Sequence, residues 1–314
     1  MPFDSAQPVI ELSRLTVRFG TRPILKGLDA RLYGTSIGLL GPNGAGKSTL
    51  IHTLLGMCPV AEGTAKVMGH DIRKEQRRIR SFVGYMPEGD AYIADMSAVA
   101  MVRMMGELSG LPPEAALERA HEVLFYVGLG EARYRRLGTF SQGMRQLAKL
   151  AQAVVHGPRL LILDEPTNGL DPAARTRMIR LIQQIRSSGK VHILLCSHLL
   201  ADVEQICQEV VILKDGWLIA DVDLDAQRRC DRRFLDVEVW DGADQFAGAM
   251  AGLGCTCSSS GQGRISMILP EGLHLQQVYQ TIVDLDVPIR RLSYRTDSLE
   301  QIFLRAMESA DGGL

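Results

Sequence analysis

The stretch Gly41 to Thr49, "GPNGAGKST", has the residue types and spacing of a loop that binds phosphate groups. It follows the apolar run "TSIGLL" (35–40), which is typical of a buried strand, and it opens "KSTLIHTLLG", which is typical of a helix. Main-chain N–H groups of such a loop can surround an anion, and the helix dipole adds positive potential. We expect Lys47 to reach the β- and γ-phosphates of ATP and the Ser48 hydroxyl to ligate Mg²⁺. The expected contact residues are Gly41, Pro42, Asn43, Gly44, Ala45, Gly46, Lys47, Ser48 and Thr49.

Two adjacent acids end a second apolar run, "LLILDE" (160–165). Buried charge at the end of a strand is explained if a cation meets it, so we expect Asp164 to hold Mg²⁺. Glu165, one residue further, is a candidate general base for an attacking water molecule. His198, just beyond the apolar strand "VHILLC" (191–196), would lie at the same edge and contact the γ-phosphate. The alternatives are two acids that merely begin a loop and an ordinary surface histidine.

A second anion-binding turn is predicted at "FSQGMRQ" (140–146), where Ser141, Gln142 and Gly143 open a helical run. The sequence contains only one evident nucleotide loop, and it lies about a hundred residues earlier in the chain. A single chain would therefore have two phosphate-facing turns and one nucleotide.

The predicted elements that position these residues change character near residue 222. Before it, short apolar strands alternate with helices, which predicts a mainly parallel sheet covered by helices. Residues 91–137 have helical spacing, and we expect their methionine-rich face, with Leu108, to be core. After residue 222 the order β-α-β-α-β-α predicts a small α/β unit. The expected domains are 1–221 and 222–314.

Composition narrows the class of protein. Of 314 residues, 35 are Lys or Arg and 36 are Asp or Glu, so the net charge is −1 and nucleic-acid binding is not expected. No apolar run is long enough to span a membrane, and the first residues lack the features of a signal peptide. The six cysteines lack zinc-type spacing, which favours reduced thiols in a cytoplasmic protein. A soft-metal site at Cys255 and Cys257 is the weaker alternative.

Taken in order, the motifs resemble those of the ATP-binding subunit of an ABC transporter. They are Phe19, "GPNGAGKST", "GYMPE", "FSQGMRQ", "LLILDEPTNGLDP" and "CSHLL", and the resemblance covers residues 9 to about 220. It implies a P-loop NTPase fold of the ABC type with a helical subdomain. It also implies that two copies sandwich two ATP molecules head to tail, so that the signature turn of one chain faces the γ-phosphate bound by the other. An integral membrane permease is the other implied partner.

The same resemblance implies roles for further residues. Phe19 matches the aromatic side chain that stacks on adenine, although it could instead be a core phenylalanine at a strand end. Ser141 and Gly143 match the signature hydroxyl and backbone donor, and Asp171 matches the aspartate that links the two active sites. Glu88 stands where the family usually has a glutamine that senses Mg²⁺ and contacts the membrane subunit. Gln142 replaces the first glycine of the usual signature.

A finer resemblance involves "GYMPE", "SQGMRQ" and "DSLEQIFL". These stretches are similar to the subfamily whose ATPase pairs with a separate export permease in bacteria. The resemblance implies a cytoplasmic subunit attached peripherally to the inner face of the cell membrane. The alternative is a soluble ABC-type ATPase acting on nucleic acid or the ribosome. Such proteins usually carry two nucleotide domains or long coiled coils, whereas this chain has one nucleotide domain and no heptad run.

Overall fold

The computed structural model describes residues 7–90, 92–231, 234–259, 263–270, 272–294 and 299–311. By their internal contacts, the residues form two compact units, Met1–Val222 together with Arg305–Leu314, and Asp223–Leu304. The last ten residues are thus grouped with the first unit. The domain limits expected from the sequence stay a prediction, because internal contacts do not test independent folding. In the described part of the chain, no helix has both the length and the apolar composition needed to cross a bilayer.

Up to Val222, the first unit contains two sheets and seven α-helices among its described residues. Its strands are β1 (Ile10–Phe19), β2 (Arg22–Leu32), β3 (Ser36–Leu40), β4 (Glu62–Val67), β5 (His70–Asp71), β6 (Val83–Met86), β7 (Leu160–Asp164), β8 (His192–Cys196), β9 (Glu209–Lys214) and β10 (Trp217–Asp223). Its helices are α1 (Lys47–Leu54), α2 (Gln76–Phe82), α3 (Ala98–Leu108), α4 (Pro113–Tyr126), α5 (Gln142–Val154), α6 (Pro172–Ser187) and α7 (Leu200–Ile206).

The larger sheet has the strand order β10-β9-β3-β8-β7-β6, and the pairs from β9 to β6 are parallel. Every residue of β3, β7 and β8 is buried, which is why these strands read as unbroken apolar runs. Because the strands are parallel, the residues that follow β3, β7 and β8 come out at one edge of the sheet. Lys47, Glu165 and His198 all follow these strands. The other sheet is antiparallel, in the order β2-β1-β4-β5.

The insert between β6 and β7 is helical in its described residues, with α3, α4 and two short 3-10 turns before α5. Its methionine face is only partly core, so that expectation was wrong in part. Met101 is buried at 5% exposure, but Met104 and Met105 are half-buried and Leu108 is 75% exposed. The helical period was predicted correctly. The period alone does not show which residues of a helix face are buried by neighbouring elements.

The second unit contains α8 (Leu224–Asp231), β11 (Phe234–Val239), α9 (Ala243–Gly252), β12 (Thr256–Ser259), β13 (Arg264–Ile268), α10 (Leu275–Asp284) and β14 (Ile289–Tyr294), and α11 (Leu299–Asp311) follows. Its strands form an antiparallel sheet in the order β12-β13-β11-β14, the arrangement of a split β-α-β fold. The short strand β12, "TCSS", is missing from the β-α-β-α-β-α order expected from the sequence, because it has no large apolar side chain to mark it. The core of the unit includes Leu235, Val237, Phe246 and Met250.

Candidate active site

The loop between β3 and α1 is shaped by glycines that no other residue could replace without strain. Gly41 has φ +154°, and a Cβ at this position would lie 2.3 Å from the main-chain oxygen of Leu213. Gly46 has φ +105°, and its Cβ would lie 2.7 Å from the Leu25 side chain. The loop therefore needs glycine at both positions to curl between β9 and β2. A glycine-rich loop of this kind can place main-chain N–H groups around an anion.

Lys47 begins α1 and adds positive charge to this loop. It is 8% exposed, and its Nζ donates hydrogen bonds to the main-chain oxygens of Gly41 at 2.7 Å and Pro42 at 3.1 Å. The first turn of α1 contains no acidic residue, so nothing there offsets the positive end of the helix dipole. The loop, the helix end and the ammonium group together suit a polyphosphate.

A cleft of about 300 Å³ brings together most of the residues predicted from the first two motifs. Its lining residues are Ile24, Asn43, Gly44, Gly46, Lys47, Ser48, Thr49, Glu88, Asp164, Glu165, Asn168 and His198. Ile24 and Asn168 were not predicted from the sequence. Asn168 lies within the "DEPTNGLDP" motif, so its position in the sequence was a usable signal.

Asp164 has the environment of a metal ligand. It is 3% exposed, and burial raises the pKa of its carboxyl, with the nearby Glu88 acting in the same direction. Its Oδ1 is buried and accepts no hydrogen bond from the described residues. A buried carboxylate oxygen without a donor is costly unless a cation meets it. Asp164 and the Ser48 hydroxyl in the same cleft therefore fit a hard divalent cation such as Mg²⁺.

No cluster of three or more His, Cys, Asp or Glu side chains suited to a metal occurs among the described residues. Mg²⁺ does not need such a cluster. It is usually bound by one or two carboxylates, with water and phosphate oxygens completing its octahedron.

Glu165 and His198 form a direct pair at the edge of the sheet. Glu165 Oε2 lies 2.8 Å from His198 Nδ1, and the Glu165 residue is 5% exposed. Glu165 has φ +49°, a conformation uncommon for a residue with a side chain, and its N–H donates to the main-chain oxygen of Cys196 at 2.9 Å. Such backbone strain is often found at functional sites. The turn directs the carboxylate of Glu165 into the cleft beside Asp164.

Glu88 lines the same cleft from the loop after β6. Its Oε1 accepts a hydrogen bond from Asn168 Nδ2 at 3.3 Å. The contact ties this loop to the turn after β7, so the two segments approach each other beside the phosphate site.

The signature residues lie elsewhere in the chain's structure. Ser141, Gln142, Gly143 and Asp171 line a second pocket, and none of them is among the described residues that line the cleft. Ser141 is the N-cap of α5, where its Oγ accepts from the Met144 N–H at 3.3 Å. The structure thus divides the predicted site residues of one chain between two places.

Asp171 and Phe19 complete the predicted set. Asp171 caps α6, with Oδ1 accepting from the N–H groups of Ala173 at 3.0 Å and Ala174 at 2.9 Å. Phe19 ends β1 and is 52% exposed, so it is not a core residue. Its side chain is therefore accessible to a ligand, although Phe19 is not among the described residues that line the cleft.

One buried contact of the site was missed by the sequence analysis. Asp202 on α7 is 1% exposed, and its Oδ1 accepts from Arg175 Nε at 2.8 Å and Nη2 at 2.6 Å. Its Oδ2 accepts from the Thr167 hydroxyl at 2.5 Å. Asp202 therefore joins the turn that carries Asn168 to the helix that follows His198. No motif marks it, because only the packing of α6 against α7 brings these partners together.

We expect Asp202→Ala to lower the free energy of unfolding by about 2–4 kcal/mol, since it leaves Arg175 without its carboxylate partner. Chemical denaturation monitored by circular dichroism measures the change. Glu118→Ala, which removes an exposed acid from α4, is the matched control and should leave stability nearly unchanged. Equal midpoints for the two variants would contradict a stabilising role for the Asp202 contacts.

Comparison with known proteins shows the family of the chain. A family model described as "ABC transporter" matches residues 26–168. An uncharacterised ABC transporter ATP-binding protein of Bacillus subtilis, YxlF, is 31% identical over 280 residues, covering 87% of this chain and 90% of the relative. The chain belongs to the family of ABC transporter ATP-binding subunits. As a member of that family, it binds ATP and is an ATPase.

Two other similar proteins bear on this ATP-binding subunit. The Nod factor export ATP-binding protein I of Cupriavidus pinatubonensis is 31% identical over 268 residues, covering 83% of this chain and 81% of the relative. A solved structure of an ATP-binding subunit of an ABC transporter has a TM-score of 0.63 and 27% identity, covering 70% of this chain and 92% of that one. The fold class expected from the sequence, an ABC-type P-loop NTPase, is confirmed.

Proposed function

We propose that the subunit works as a head-to-tail dimer, with each ATP held between the P-loop cleft of one chain and the signature turn of the other. The observation that carries this proposal is the division of the phosphate-facing residues between two pockets. Lys47 and Glu165 line one pocket, while Ser141 and Gly143 line the other. The first turn of α5 contains no acid, so its positive end is available to an anion supplied by a partner chain.

In this dimer, Glu165 acts as the general base for hydrolysis. Its carboxylate takes a proton from a water molecule, the water oxygen attacks the γ-phosphorus, and the bond to the bridging oxygen breaks to release ADP and phosphate. The 2.8 Å contact with His198 fixes the orientation of the Glu165 carboxylate. Because a carboxylate only accepts hydrogen bonds, His198 donates from Nδ1. A second donation from Nε2 to the γ-phosphate then requires the imidazolium form.

The other cleft residues bind and orient the nucleotide. The P-loop N–H groups and Lys47 hold the phosphates, and Phe19 offers an exposed ring for adenine. Ser48, Asp164 and Glu88 would hold Mg²⁺, which when bound neutralises phosphate charge and aligns the β- and γ-oxygens. Asp171, at the edge of the second pocket, would meet the site of the partner chain.

The permease would dock in a groove between the sheet and the helical insert. Its lining residues are Arg77, Arg80, Ser81, Val83, Tyr85, Met105, Leu108, Ser109, Gln152, Ala153 and His156. Leu108 is 75% exposed there and half-buried Met105 lies near it, which explains why the methionine face of α3 is left partly uncovered. Arg77 and Arg80 make one wall basic, so the matching permease helix should be amphipathic and carry an acid. Glu88 lines the ATP cleft, so its link to the permease would run through the main chain after β6.

We expect Leu108→Asp to abolish most of the stimulation of hydrolysis by the permease, by about tenfold or more, because an apolar anchor becomes a charge. Hydrolysis by the isolated subunit should change by less than about twofold, since Leu108 lies outside the cleft. The measurement is ATPase activity alone and with the co-purified permease in lipid. Phe125→Asp is the matched control, because Phe125 is 74% exposed on the same insert but does not line the groove. Equal stimulation of Leu108→Asp and Phe125→Asp would remove the groove from the docking model.

The proposed activity is export. The support is the similarity to a relative whose printed name states export and the motifs that resemble the subfamily with a separate permease. The subunit would lie at the inner face of the cell membrane, held there by the permease. Recovery of RNA or DNA in a tight, salt-sensitive complex, with no membrane partner, would overturn this assignment.

A further inference from the structure

Two cations on α5 contact the loop that carries Glu88. Arg145 and Lys149 are four residues apart and therefore lie on one face of the helix. Lys149 Nζ donates to the main-chain oxygen of Glu88 at 2.8 Å. Arg145 Nε lies 3.3 Å from Asp90 Oδ2. The helix that begins at the signature turn thus holds the Glu88 loop at two points.

Lys149 is an unusual component of this contact, because it is only 3% exposed. A buried ammonium group loses much hydration energy, and it persists where acceptors and negative charges compensate. Burial lowers the pKa of Lys149, while Asp90, Glu88 and Asp164 act to raise it. Its surroundings therefore contain the carboxylates on the Mg²⁺ side of the cleft.

Arg145 extends the contact to the signature turn. Its Nη2 donates to Gln142 Oε1 at 2.7 Å, and its Nη1 donates to the main-chain oxygen of Phe140 at 2.9 Å. On the other side of the loop, Glu88 meets Asn168. Polar contacts on both sides of the 88–90 loop, joined through its main chain, therefore connect the pocket proposed to face the partner's ATP with the cleft of the chain's own ATP.

We propose that Lys149 is a positioning residue for ATP hydrolysis, which fixes the main chain at Glu88 and balances the negative charge of its carboxylate. The inference rests on the proposed role of Glu88 in the ATP cleft. Glu88, Asp164 and Glu165 place three carboxylates beside a polyanionic substrate. The positive charge of Lys149 lowers this repulsion. If residue 88 had a neutral side chain, the repulsion would be smaller and the charge of Lys149 would contribute less. Because Lys149 lies on α5, displacement of that helix would also displace Glu88.

The test is a double-mutant cycle with Lys149→Met and Glu88→Gln. Methionine keeps the length and apolar stem but removes the charge and the donor to the Glu88 main-chain oxygen, so Lys149→Met should unfold at a lower temperature than the unmodified protein while remaining folded at the assay temperature. Its kcat should nevertheless fall by roughly 10- to 100-fold, as for residues that orient metal ligands. Binding of a fluorescent ATP analogue without Mg²⁺ should change by less than about threefold. Lys149→Met should lower kcat less in the Glu88→Gln background than in the unmodified background, by a factor of at least about five.

Two controls keep the result interpretable. Lys190→Met, at an exposed lysine, should match the unmodified protein in kcat and unfolding temperature. Lys149→Arg keeps the charge and should retain more activity than Lys149→Met. If Lys149→Met does not fold, Lys149→Gln replaces it in the double-mutant cycle with Glu88→Gln. An equal loss of kcat in the unmodified and the Glu88→Gln backgrounds, or a loss matching the unfolded fraction, would overturn the proposal. ATP hydrolysis by Glu165→Gln at nearly the unmodified rate would instead contradict the proposed hydrolysis mechanism.

Discussion

Glu165→Gln should bind ATP normally and hydrolyse it about 10²- to 10⁴-fold more slowly, the usual contribution of a general base. Glutamine has the size of glutamate and can still accept from His198 Nδ1, so the pair at 2.8 Å should keep its geometry. What the variant loses is the ability to take a proton from water. In the proposed dimer, hydrolysis of the bound ATP allows the two chains to separate. Because the variant hydrolyses ATP slowly, ATP should hold two chains together as a dimer. Single-turnover hydrolysis and size-exclusion chromatography with ATP measure these two effects.

Lys47→Ala is the comparison that separates chemistry from binding. It removes the ammonium group that lies beside the P-loop, so it should weaken nucleotide binding itself. Glu165→Gln should leave binding intact and Lys47→Ala should not. Hydrolysis near the unmodified rate in purified Glu165→Gln would exclude Glu165 as the base.

Mixed dimers should recover activity that neither parent possesses. Ser141→Asp keeps an N-capping side chain on α5 but faces the partner's γ-phosphate with a negative charge, so hydrolysis should fall by at least about tenfold. Lys47→Ala chains should be inactive because their P-loop cleft, the other half of the site, no longer binds nucleotide tightly. In a mixed dimer, one of the two composite sites combines an intact P-loop cleft with an intact signature turn. That site should restore up to about half of the activity per dimer, provided the sites act independently.

The control for this experiment is Ser141→Thr, which keeps both the cap and the hydroxyl and should remain active. Formation of mixed dimers is verified by pulling down one tagged parent and detecting the other. Mixed dimers that stay as inactive as their parents would contradict shared sites. Full activity of Ser141→Asp alone would show that each chain completes its own site.

The nucleotide loop and the two acids at the end of β7, Asp164 and Glu165, were predictable because their chemistry is local. Gly41, Gly46 and Lys47 fall within a few residues between an apolar strand and a helix, and main-chain conformation at that range follows from residue type. Parallel strands then bring Glu165 and His198 to one edge, as the sequence analysis expected. The helical spacing of residues 91–137 could also be recognised from neighbouring residues. The exposure of Leu108 could not, because it depends on which distant elements pack against α3.

Other features of the site depend on contacts between segments far apart in sequence. Asp202 meets Thr167 and Arg175 only because α7 packs against α6. Lys149 reads from sequence as one more polar residue of an amphipathic helix, yet it is buried against the Glu88 loop, which precedes it by 61 positions.

The sequence by itself determined the P-loop and the pair of acids at the end of β7, and the resemblance of motifs spread over residues 9 to about 220 implied the ABC-type fold. The P-loop and the acids depend on residue type and on spacing within one strand, loop or helix. The second phosphate-facing turn stays a prediction. Only the tertiary structure decided that Glu165 lies 2.8 Å from His198, that the signature residues line a separate pocket, and that Leu108 is left uncovered. The physical reason is that burial, hydrogen-bond partners and separation in space are set by how distant elements pack, and the order of residues encodes that packing only through the whole fold.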